Sequence, residues 1–381
     1  TQVDGSRFVC APKNEGERIR IGYLSSNLSL HAVSILTAEL YELHNRQEFE
    51  VYIFSWTDDM ECGMLARIRH TADHFVDIRE MTDAEATQVL RDAKLDVLVD
   101  LQGLSKASRP QIFANRVAPL QITYLGFPGP CSCPALDYVI ADDFVLPVEL
   151  EPYFDEKPIR MKQCFQVNDR KRMPASDATR SSLGISEDAF IFGVFNNPLK
   201  FRQDVFGVWM GILKRVPGSL LWLLTYEKET QDSLLKHAAA AGVDKSRIVF
   251  ASLISPDDNL ARYRATDVVL DTFPFNGGTS TSDALWMGTP VVTCSGRSFA
   301  SRMSGSLLRT IGAPELITDS LEAYADCAVR LAHEPELLAE VRRKIATGRE
   351  TSALFDTPAF VREYEEHIKR LLPIHRAMYA E

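Results

Sequence analysis

Residues 267–292 read DVVLDTFPFNGGTSTSDALWMGTPVV, a stretch that combines a strand, a turn, a helix and the start of another strand. The apolar run 267–271 predicts a buried strand, and residues from about 279 to 287 predict a helix. Glycine lets a backbone approach a ligand closely, and the first amides of a helix carry unpaired N–H groups with a partial positive charge. The stretch therefore predicts either a phosphate site or a plain glycine-rich turn capped by hydroxyl residues.

The candidate phosphate ligands surround the predicted helix start and are small or hydroxylic: Asn276, Gly277, Gly278, Thr279 and Ser280. Asp283 follows in the first turns of the helix, where a carboxylate can accept a hydrogen bond from a ribose hydroxyl, as acidic residues beside Rossmann ligands often do. A carboxylate at this position also complements the helix dipole without any ligand. The spacing allows both interpretations of Asp283.

Strands and helices alternate through most of the chain on both sides of this stretch. Apolar runs predict strands at 18–24, 49–56, 95–101, 118–125, 137–142, 190–196, 219–225, 247–252 and 290–296. Amphipathic segments predict helices at 34–45, 82–93 with Thr82 as N-cap, about 109–116, 204–215, up to 241, 258–267 and through most of the chain after 300. Residues 150–185 are charged and proline-rich, which predicts an irregular linker.

Such alternation is typical of α/β folds with parallel sheets and crossover helices. We expect two Rossmann-like domains that face a central cleft: an N-terminal domain at 1–165, a C-terminal domain at 166–357, and a last helix at 358–381 that packs back on the first domain. Ligands of such sheets bind at the carboxyl ends of the strands. The glycine pair lies at such an end.

The composition narrows the class of protein. The 381 residues carry a formal net charge of −10, which argues against a general nucleic-acid or membrane-surface binder. No apolar run is long enough to span a membrane, and the first residues lack the apolar segment of a secretion signal, so we expect a cytoplasmic protein. The seven cysteines include no second pair at zinc-site spacing, so we expect reduced thiols and no metal.

A second candidate site follows the predicted strand at 190–196. Lys200 lies just past this strand, with Asn196 and Asn197 at the strand end. A lysine there can neutralise charge on a leaving diphosphate. An exposed surface lysine is the alternative.

Two further candidates lie in the N-terminal half. His31 follows the first strand, where it is an acid–base group, a substrate orienter or a simple helix-start residue. Leu125, Gly126 and Pro128 form a loop after another strand, which predicts a rigid wall for a ligand site. The chain has no P-loop, no GxSxG, no HExxH and no GxGxxG, which argues against the enzyme classes that depend on them.

Several segments together resemble the catalytic region of the O-linked N-acetylglucosamine transferase family, which includes the SPINDLY-type proteins and bacterial homologues. The segments are IGYLSSNLSLHAV, LVDLQGLSKASRPQIFANRVAPLQITYLGFPG, DYVIADDFVLP, FGVFNNPLKF, ILKRVPGSLLWLL, RIVFAS and DTFPFNGGTSTSDALWMGTPVVTCSGRSFASRMSGSLL. The resemblance runs from about residue 19 to 312 and implies a bacterial-type GT-B glycosyltransferase. It also implies a nucleotide-sugar donor bound in the C-terminal domain, an N-terminal acceptor-side domain, and no metal or other cofactor.

The resemblance also implies roles for single residues. Lys200 matches a lysine on the donor diphosphate, with Asn197 as a neighbouring donor contact. Thr279 and Ser280 match a hydroxyl pair at the phosphates, and Asp283 matches the ribose contact. The remaining matches lie in the N-terminal half: His31 with a histidine lining the cleft, and Leu125, Gly126 and Pro128 with the loop beside the sugar and acceptor.

The chain departs from the family pattern around the nucleotide base. Gly278 replaces a histidine of the animal members, and Pro256 and Asn259 stand where those members have a lysine and a histidine near the base. The choice between a UDP and a GDP donor therefore stays open. The tetratricopeptide repeats that present protein acceptors in the family are absent from these 381 residues.

The function implied is inverting transfer of a sugar, foremost N-acetylglucosamine from UDP-GlcNAc, to serine or threonine hydroxyls of a protein or peptide acceptor. The alternatives within the enzyme class are a protein O-fucosyltransferase that uses GDP-fucose and an N-linked protein glucosyltransferase. The alternative outside it is an inactive scaffold that binds nucleotide sugars. The sequence does not reveal the acceptor or the oligomeric state.

Overall fold

A computed structural model describes residues 8–14, 16–173 and 179–380 of the chain. It divides into two compact units, of which the first contains residues up to Arg170 together with Asp356 onward, and the second contains Lys171–Phe355. The unit limits are thus at 170 and 355, where the sequence pattern placed domain limits at 165 and 357. The last helix belongs to the first unit.

The thirteen strands within the described residues are β1 (Ile19–Ser25), β2 (Phe49–Ser55), β3 (His74–Asp77), β4 (Val97–Asp100), β5 (Leu120–Thr123), β6 (Tyr138–Ala141), β7 (Lys157–Arg160), β8 (Ile191–Val194), β9 (Leu220–Leu224), β10 (Ile248–Ala251), β11 (Val268–Leu270), β12 (Val291–Cys294) and β13 (Ile317–Thr318).

The twelve α-helices within the same residues are α1 (Ala32–Leu43), α2 (Gly63–Thr71), α3 (Asp83–Asp92), α4 (Pro110–Ala114), α5 (Gln203–Arg215), α6 (Lys228–Ala240), α7 (Pro256–Arg264), α8 (Thr279–Trp286), α9 (Met303–Ile311), α10 (Leu321–His333), α11 (Pro335–Thr351) and α12 (Thr357–Met378).

The first unit is built on a parallel sheet of seven strands in the order β3-β2-β1-β4-β5-β6-β7. The central strands β4 and β5 are buried along their whole length, because helices cover both faces of the sheet. Helix α12 shares a core with α1 on one face, through Phe360, Tyr364 and Ile368 packed with Val33 and Leu40. The final helix is therefore part of the hydrophobic core of the first unit.

The second unit is built on a parallel sheet of six strands in the order β10-β9-β8-β11-β12-β13. Strands β8 and β11 are neighbours, with Val268 paired to Phe192 and Val269 paired to Gly193. Their carboxyl ends consequently deliver the Lys200 loop and the glycine pair to the same edge of the sheet. This adjacency creates the candidate site.

The predicted alternation of strands and helices is confirmed, and Thr82 is the N-cap of α3, its hydroxyl accepting a hydrogen bond from the Glu85 N–H. The prediction that residues 150–185 form only an irregular linker was wrong, because β7 lies there and extends the first sheet beside β6. The sequence analysis also missed α2, β3 and the two-residue β13. Among the described residues, no helix is long and apolar enough to cross a membrane.

Candidate functional site

The turn between β11 and α8 is held in place by the carboxylate of Asp271, which is only 2% exposed. Its Oδ1 accepts hydrogen bonds from the Gly277 N–H at 2.8 Å and the Thr272 N–H at 2.9 Å, and its Oδ2 accepts one from the Thr293 hydroxyl at 2.7 Å. Burial raises the pKa of Asp271, while hydrogen bonds from its neighbours and the charge of Lys200 oppose that shift. The carboxylate thereby fixes the backbone of the glycine pair.

Two candidate ligands, Asn196 and Asn276, are buried and bind the turn itself. The Asn196 amide donates to the Thr272 hydroxyl at 2.9 Å, and the Asn276 amide donates to the Thr272 carbonyl at 2.8 Å. In the described part of the chain, Asn276 Oδ1 is buried without a hydrogen-bond partner. Both side chains therefore use their N–H groups to hold the turn in shape. Asn276 Oδ1 remains able to accept a hydrogen bond.

Helix α8 begins at an open N-terminus. Its N-cap is Gly278, so no side chain caps the first amides. A Cβ on Gly277 would lie 2.4 Å from Ser280 Oγ and 2.6 Å from Thr281 Oγ1, so any larger residue would displace these two hydroxyls from the helix start. Thr279 and Ser280 are half-buried beside the uncapped amides. Amides, helix dipole and hydroxyls together suit a phosphate group.

Lys200 reaches the same turn from the end of β8. It ends a short 3-10 turn whose N-cap, Asn197, accepts a hydrogen bond from the Leu199 N–H at 3.0 Å. The Lys200 ammonium donates to the Asn276 carbonyl at 2.9 Å and lies 3.9 Å from the centroid of the Phe275 ring. Burial lowers the pKa of Lys200, while the charge of a buried aspartate opposes the shift. The structure thus brings a cation and the uncapped helix start together.

Asp283, the candidate ribose ligand, already has a partner within the second unit. It is buried, and its Oδ1 forms an ion pair with Arg172. Burial raises the pKa of Asp283, and the Arg172 guanidinium opposes the shift. The Trp286 indole N–H donates to the Arg172 carbonyl at 3.1 Å, which ties this segment to α8. A carboxylate has about four acceptor positions, so the ion pair leaves capacity for a hydroxyl.

Asn259, the candidate near the base, lies on α7, which packs against α8. Its Oδ1 accepts a hydrogen bond from Arg262 Nη1 at 3.3 Å, and Arg262 Nη2 also donates to the Ser252 carbonyl at the end of β10. Arg262 is buried, and burial lowers its pKa. Asn259 therefore belongs to a polar group on the same sheet edge as the glycine pair.

His31 is the N-cap of α1 in the first unit. Its Nδ1 accepts a hydrogen bond from the Val33 N–H at 3.2 Å, and the Ser34 hydroxyl accepts one from the His31 N–H at 3.3 Å, which completes a capping box. Burial lowers the pKa of His31. A neutral imidazole with Nδ1 as acceptor carries its proton on Nε2, so this ring is a hydrogen-bond donor at its free nitrogen.

The loop with Leu125, Gly126 and Pro128 is tightly built. Leu125 has a φ of 67°, in the left-handed region that residues other than glycine rarely adopt. A Cβ on Gly126 would lie 1.9 Å from the Leu101 carbonyl oxygen, so glycine is required for the contact with the end of β4. Gly126 therefore has a structural role, and Leu125 carries local backbone strain.

The sequence analysis missed three residues that organise the site: Asp271, Arg172 and Phe275. Asp271 carried a usable signal, because it is an acidic residue at the carboxyl end of a buried strand. Phe275 lies inside the quoted stretch, although nothing in its spacing indicated a ring beneath an ammonium. Arg172 lies in the charged segment after 150, where the pattern gives no partner.

Among the described residues, no group of three or more His, Cys, Asp or Glu side chains is arranged to hold a metal ion. All seven cysteines are free thiols. The expectation that the protein needs no metal stays a prediction.

The comparisons with known proteins identify a family. A model described as glycosyl transferase family 41 matches residues 5–176 and 175–364. The chain is 34% identical, over 95% of its length, to a probable UDP-N-acetylglucosamine–peptide N-acetylglucosaminyltransferase (SEC) of Arabidopsis thaliana, and 25% identical, over 92%, to such a transferase of Caenorhabditis elegans. It spans 38% and 40% of the lengths of these two relatives.

Solved structures agree with this assignment. A mutant of the O-GlcNAc transferase of Thermobaculum terrenum superposes with a TM-score of 0.89 at 29% identity, over 98% of this chain and 71% of that chain. Anabaena HepE in complex with UDP and glucose superposes with a TM-score of 0.64 at 12% identity, over 93% of this chain and 100% of that one, which is a likeness of fold alone. The predicted GT-B class, with two Rossmann-like sheets, is confirmed.

Proposed function

Because the chain belongs to glycosyl transferase family 41, we propose that it transfers N-acetylglucosamine from UDP-GlcNAc to serine or threonine hydroxyls of a protein or peptide acceptor. The relatives named above carry this activity in their names. The observation that carries the proposal is the uncapped start of α8 with the Lys200 ammonium bound to the same turn.

The donor diphosphate is proposed to bind at this turn. The unpaired amides after Gly278 and the hydroxyls of Thr279 and Ser280 offer donors to phosphate oxygens. The Lys200 ammonium has three N–H donors, of which one binds the Asn276 carbonyl, so it can also contact the diphosphate. Asp283 is proposed to accept a hydrogen bond from a ribose hydroxyl in addition to its ion pair with Arg172, because a carboxylate has about four acceptor positions.

The proposed reaction is a single displacement with inversion. An acceptor hydroxyl oxygen forms a bond to the anomeric carbon while the bond from that carbon to the diphosphate oxygen breaks. Negative charge grows on the leaving diphosphate, and Lys200 and the α8 amides stabilise it. The hydroxyl proton leaves for a base, and a donor phosphate oxygen or a chain of water molecules is the proposed acceptor.

His31 is proposed to orient substrate rather than remove the proton. A general base needs a free lone pair on a ring nitrogen. The His31 Nδ1 lone pair accepts the Val33 N–H, and Nε2 then holds the ring proton. His31 therefore suits hydrogen-bond donation to a substrate oxygen. Leu125, Gly126 and Pro128 are proposed to form the acceptor-side wall.

The cytoplasm is the proposed location, because all seven cysteines are free thiols, as is usual where glutathione keeps thiols reduced. The further proposals are metal-independent transfer, no nucleic-acid partner and no membrane partner.

The test is donor binding followed by transfer. Thermal stability is measured with UDP-GlcNAc, UDP-glucose and GDP-fucose, since a donor at 100 times its dissociation constant adds about 2.7 kcal/mol to the free energy of unfolding. Peptide acceptors are then incubated with each donor, and intact mass identifies the sugar added. UDP-GlcNAc should stabilise most and give an O-linked product.

Other outcomes of this experiment assign other functions. Stabilisation by GDP-fucose with the corresponding mass increment would make the protein a fucosyltransferase, and a glucose increment on asparagine would make it an N-linked glucosyltransferase. If a donor stabilises the protein but is neither transferred to an acceptor nor hydrolysed, the protein is an inactive scaffold that binds nucleotide sugars.

A further inference from the structure

Phe275 is an apolar side chain left 40% exposed at the carboxyl edge of the second sheet. The sequence analysis gave it no role. The Lys200 ammonium lies over the face of this ring, with 3.9 Å between Nζ and the ring centroid. An ammonium within about 6 Å of an aromatic centroid is attracted by the negative face of the ring. The contact therefore links an unassigned aromatic residue to the proposed diphosphate ligand.

The backbone around this ring is fixed on both sides. The Thr272 hydroxyl donates to the Phe275 carbonyl at 2.6 Å, and the Asn276 N–H donates to the Ala300 carbonyl at 3.0 Å. The next residue, Gly277, donates its N–H to the buried Asp271 carboxylate. These hydrogen bonds fix the Phe275 backbone beside Lys200, so a rotamer of this one side chain is enough to place the ring against the ammonium.

The ring and the carbonyl together restrict the Lys200 ammonium in two directions. One N–H donates to the Asn276 carbonyl, and the ring face lies against the charge from another side. Lysine otherwise loses much side-chain rotamer freedom when it is ordered. A lysine ordered before the substrate arrives does not bear that cost during binding or reaction.

We propose that Phe275 is a positioning residue that holds the Lys200 ammonium ready for the leaving diphosphate through a cation–π contact. The proposal rests on the proposed function, which places the diphosphate beside Lys200. The charge on the diphosphate grows as the sugar bond breaks, so the contribution of Phe275 belongs mostly to kcat.

The experiment changes the electron density of the ring at nearly constant volume. Phenylalanine at 275 is replaced by its 4-fluoro, 3,5-difluoro and pentafluoro analogues, which weaken the negative ring face stepwise. We expect kcat to fall at each step, by about 3- to 10-fold in total, with a smaller change in the donor KM. The same analogues at Phe190, whose ring packs against Phe192, are the matched control.

Two substitutions by standard residues complement the series. Phe275→Leu keeps an apolar side chain without a π face and should match the pentafluoro protein, while Phe275→Tyr should stay above Phe275→Leu. Equal kcat values across the fluorinated series, or a Phe275→Leu protein as fast as the unchanged enzyme, would overturn the proposal.

A coupling measurement separates this inference from the proposed function. The melting temperature should fall along the fluorinated series when Lys200 is present and stay constant in the Lys200→Met background. This readout needs no turnover, so absence of coupling rejects the ring–ammonium contact even if the enzyme uses another donor. A Lys200→Met enzyme with unchanged turnover would instead reject the role of Lys200 in the proposed function.

Discussion

Helices α1 and α8 begin in similar positions, each after a strand and a loop at the carboxyl edge of a parallel sheet. The start of α1 is closed, because His31 and Ser34 form a capping box with its first amides. The start of α8 is open, because Gly278 offers no side chain for a cap. Glycine is tolerated at an N-cap and gives up only about a few tenths of a kcal/mol relative to a side chain that caps, so the open helix keeps its N–H donors at little cost in stability.

This difference supports the proposal that the phosphate site lies at α8 rather than at α1. Both helices have dipoles that favour negative charge at their N-termini, yet only α8 combines free amides with a lysine on the same turn. The helix start in the first unit instead presents an imidazole donor. We therefore expect substitutions at the two starts to have different consequences, and four predictions follow in order of decreasing effect.

Removal of the Lys200 charge is expected to have the largest effect. Lys200→Met keeps the length and apolar stem of the side chain, and turnover should fall by about 10²-fold or more because one charge-stabilising donor is lost. Steady-state kinetics with saturating donor and acceptor measure this. Arg202→Ala is the control, since Arg202 is exposed and pairs with Asp204 two residues away. A Lys200→Met rate within a few-fold of wild type contradicts the assignment.

The second-largest effect is expected from a negative charge at the start of α8, which should weaken binding of the nucleotide-sugar donor. Gly278→Asp places a carboxylate at the proposed phosphate site, and like-charge repulsion across about 5 Å is expected to cost about 1–3 kcal/mol, or roughly 5- to 150-fold in affinity. The Gly278 φ of −103° is open to other residues. Because the carboxylate complements the helix dipole, the free protein should become more stable by about 0.3–1 kcal/mol.

Gly278→Asn is the matched control for that charge, because it has the same size without a carboxylate. Titration calorimetry gives donor affinity, and thermal unfolding gives stability. Equal donor affinities for the aspartate and asparagine variants would show that no anion binds at this helix start.

Loss of the N-cap of α1 should have a smaller effect than the two changes above, and it should act on the stability of the helix start. His31→Ala removes the acceptor of the Val33 N–H and should destabilise the helix start by about 1 kcal/mol, while His31→Asn keeps an acceptor. Hydrogen exchange of the first-turn amides of α1 measures the change locally. If His31 also orients substrate, both variants lose turnover, but only the alanine variant exchanges faster. Equal exchange rates would remove the cap as a source of stability.

The smallest expected effect is on the pH dependence of stability. The folded-state pKa of His31 lies below its usual 6.5, so the folded state favours the neutral, capping ring. Its contribution to stability is therefore present above about pH 6.5 and is lost as the pH falls towards the lowered pKa. His44 and His375 also have lowered pKa values, so the difference between wild type and His31→Asn isolates His31. Parallel pH profiles of the two proteins would contradict the assignment.

The order of strands and helices could be predicted because their buried faces require apolar residues at regular spacings along the sequence. Strands such as β4 and β5 are buried along their length and read as apolar runs. Strand β3 was missed because it is an edge strand with exposed residues at both ends, and β7 was missed because it reads KPIR within a charged segment. Both strands lie at an edge of the first sheet and bury too few side chains to give an apolar run, whereas the edge strand β10 was found because it reads IVFA.

The candidate site could be predicted where a suitable residue type and a strand end coincide in a short stretch of sequence. The glycine pair and the lysine were found because both follow strand ends, and the adjacency of β8 and β11 then brings them together. The Asp283–Arg172 ion pair was not predictable, because the two residues are 111 positions apart and no pattern links them. Long-range polar partners depend on the packed fold rather than on local sequence.

The last helix also determines the order in which the chain can fold during synthesis. Helix α12 completes the core of the first unit, yet the ribosome makes it only after all of Lys171–Phe355. At about 5–20 residues per second, that intervening segment of about 185 residues takes roughly 10–40 s to synthesise. The unit that is translated first is therefore finished last. Until α12 is made, the first unit lacks the part of its core that Phe360, Tyr364 and Ile368 supply.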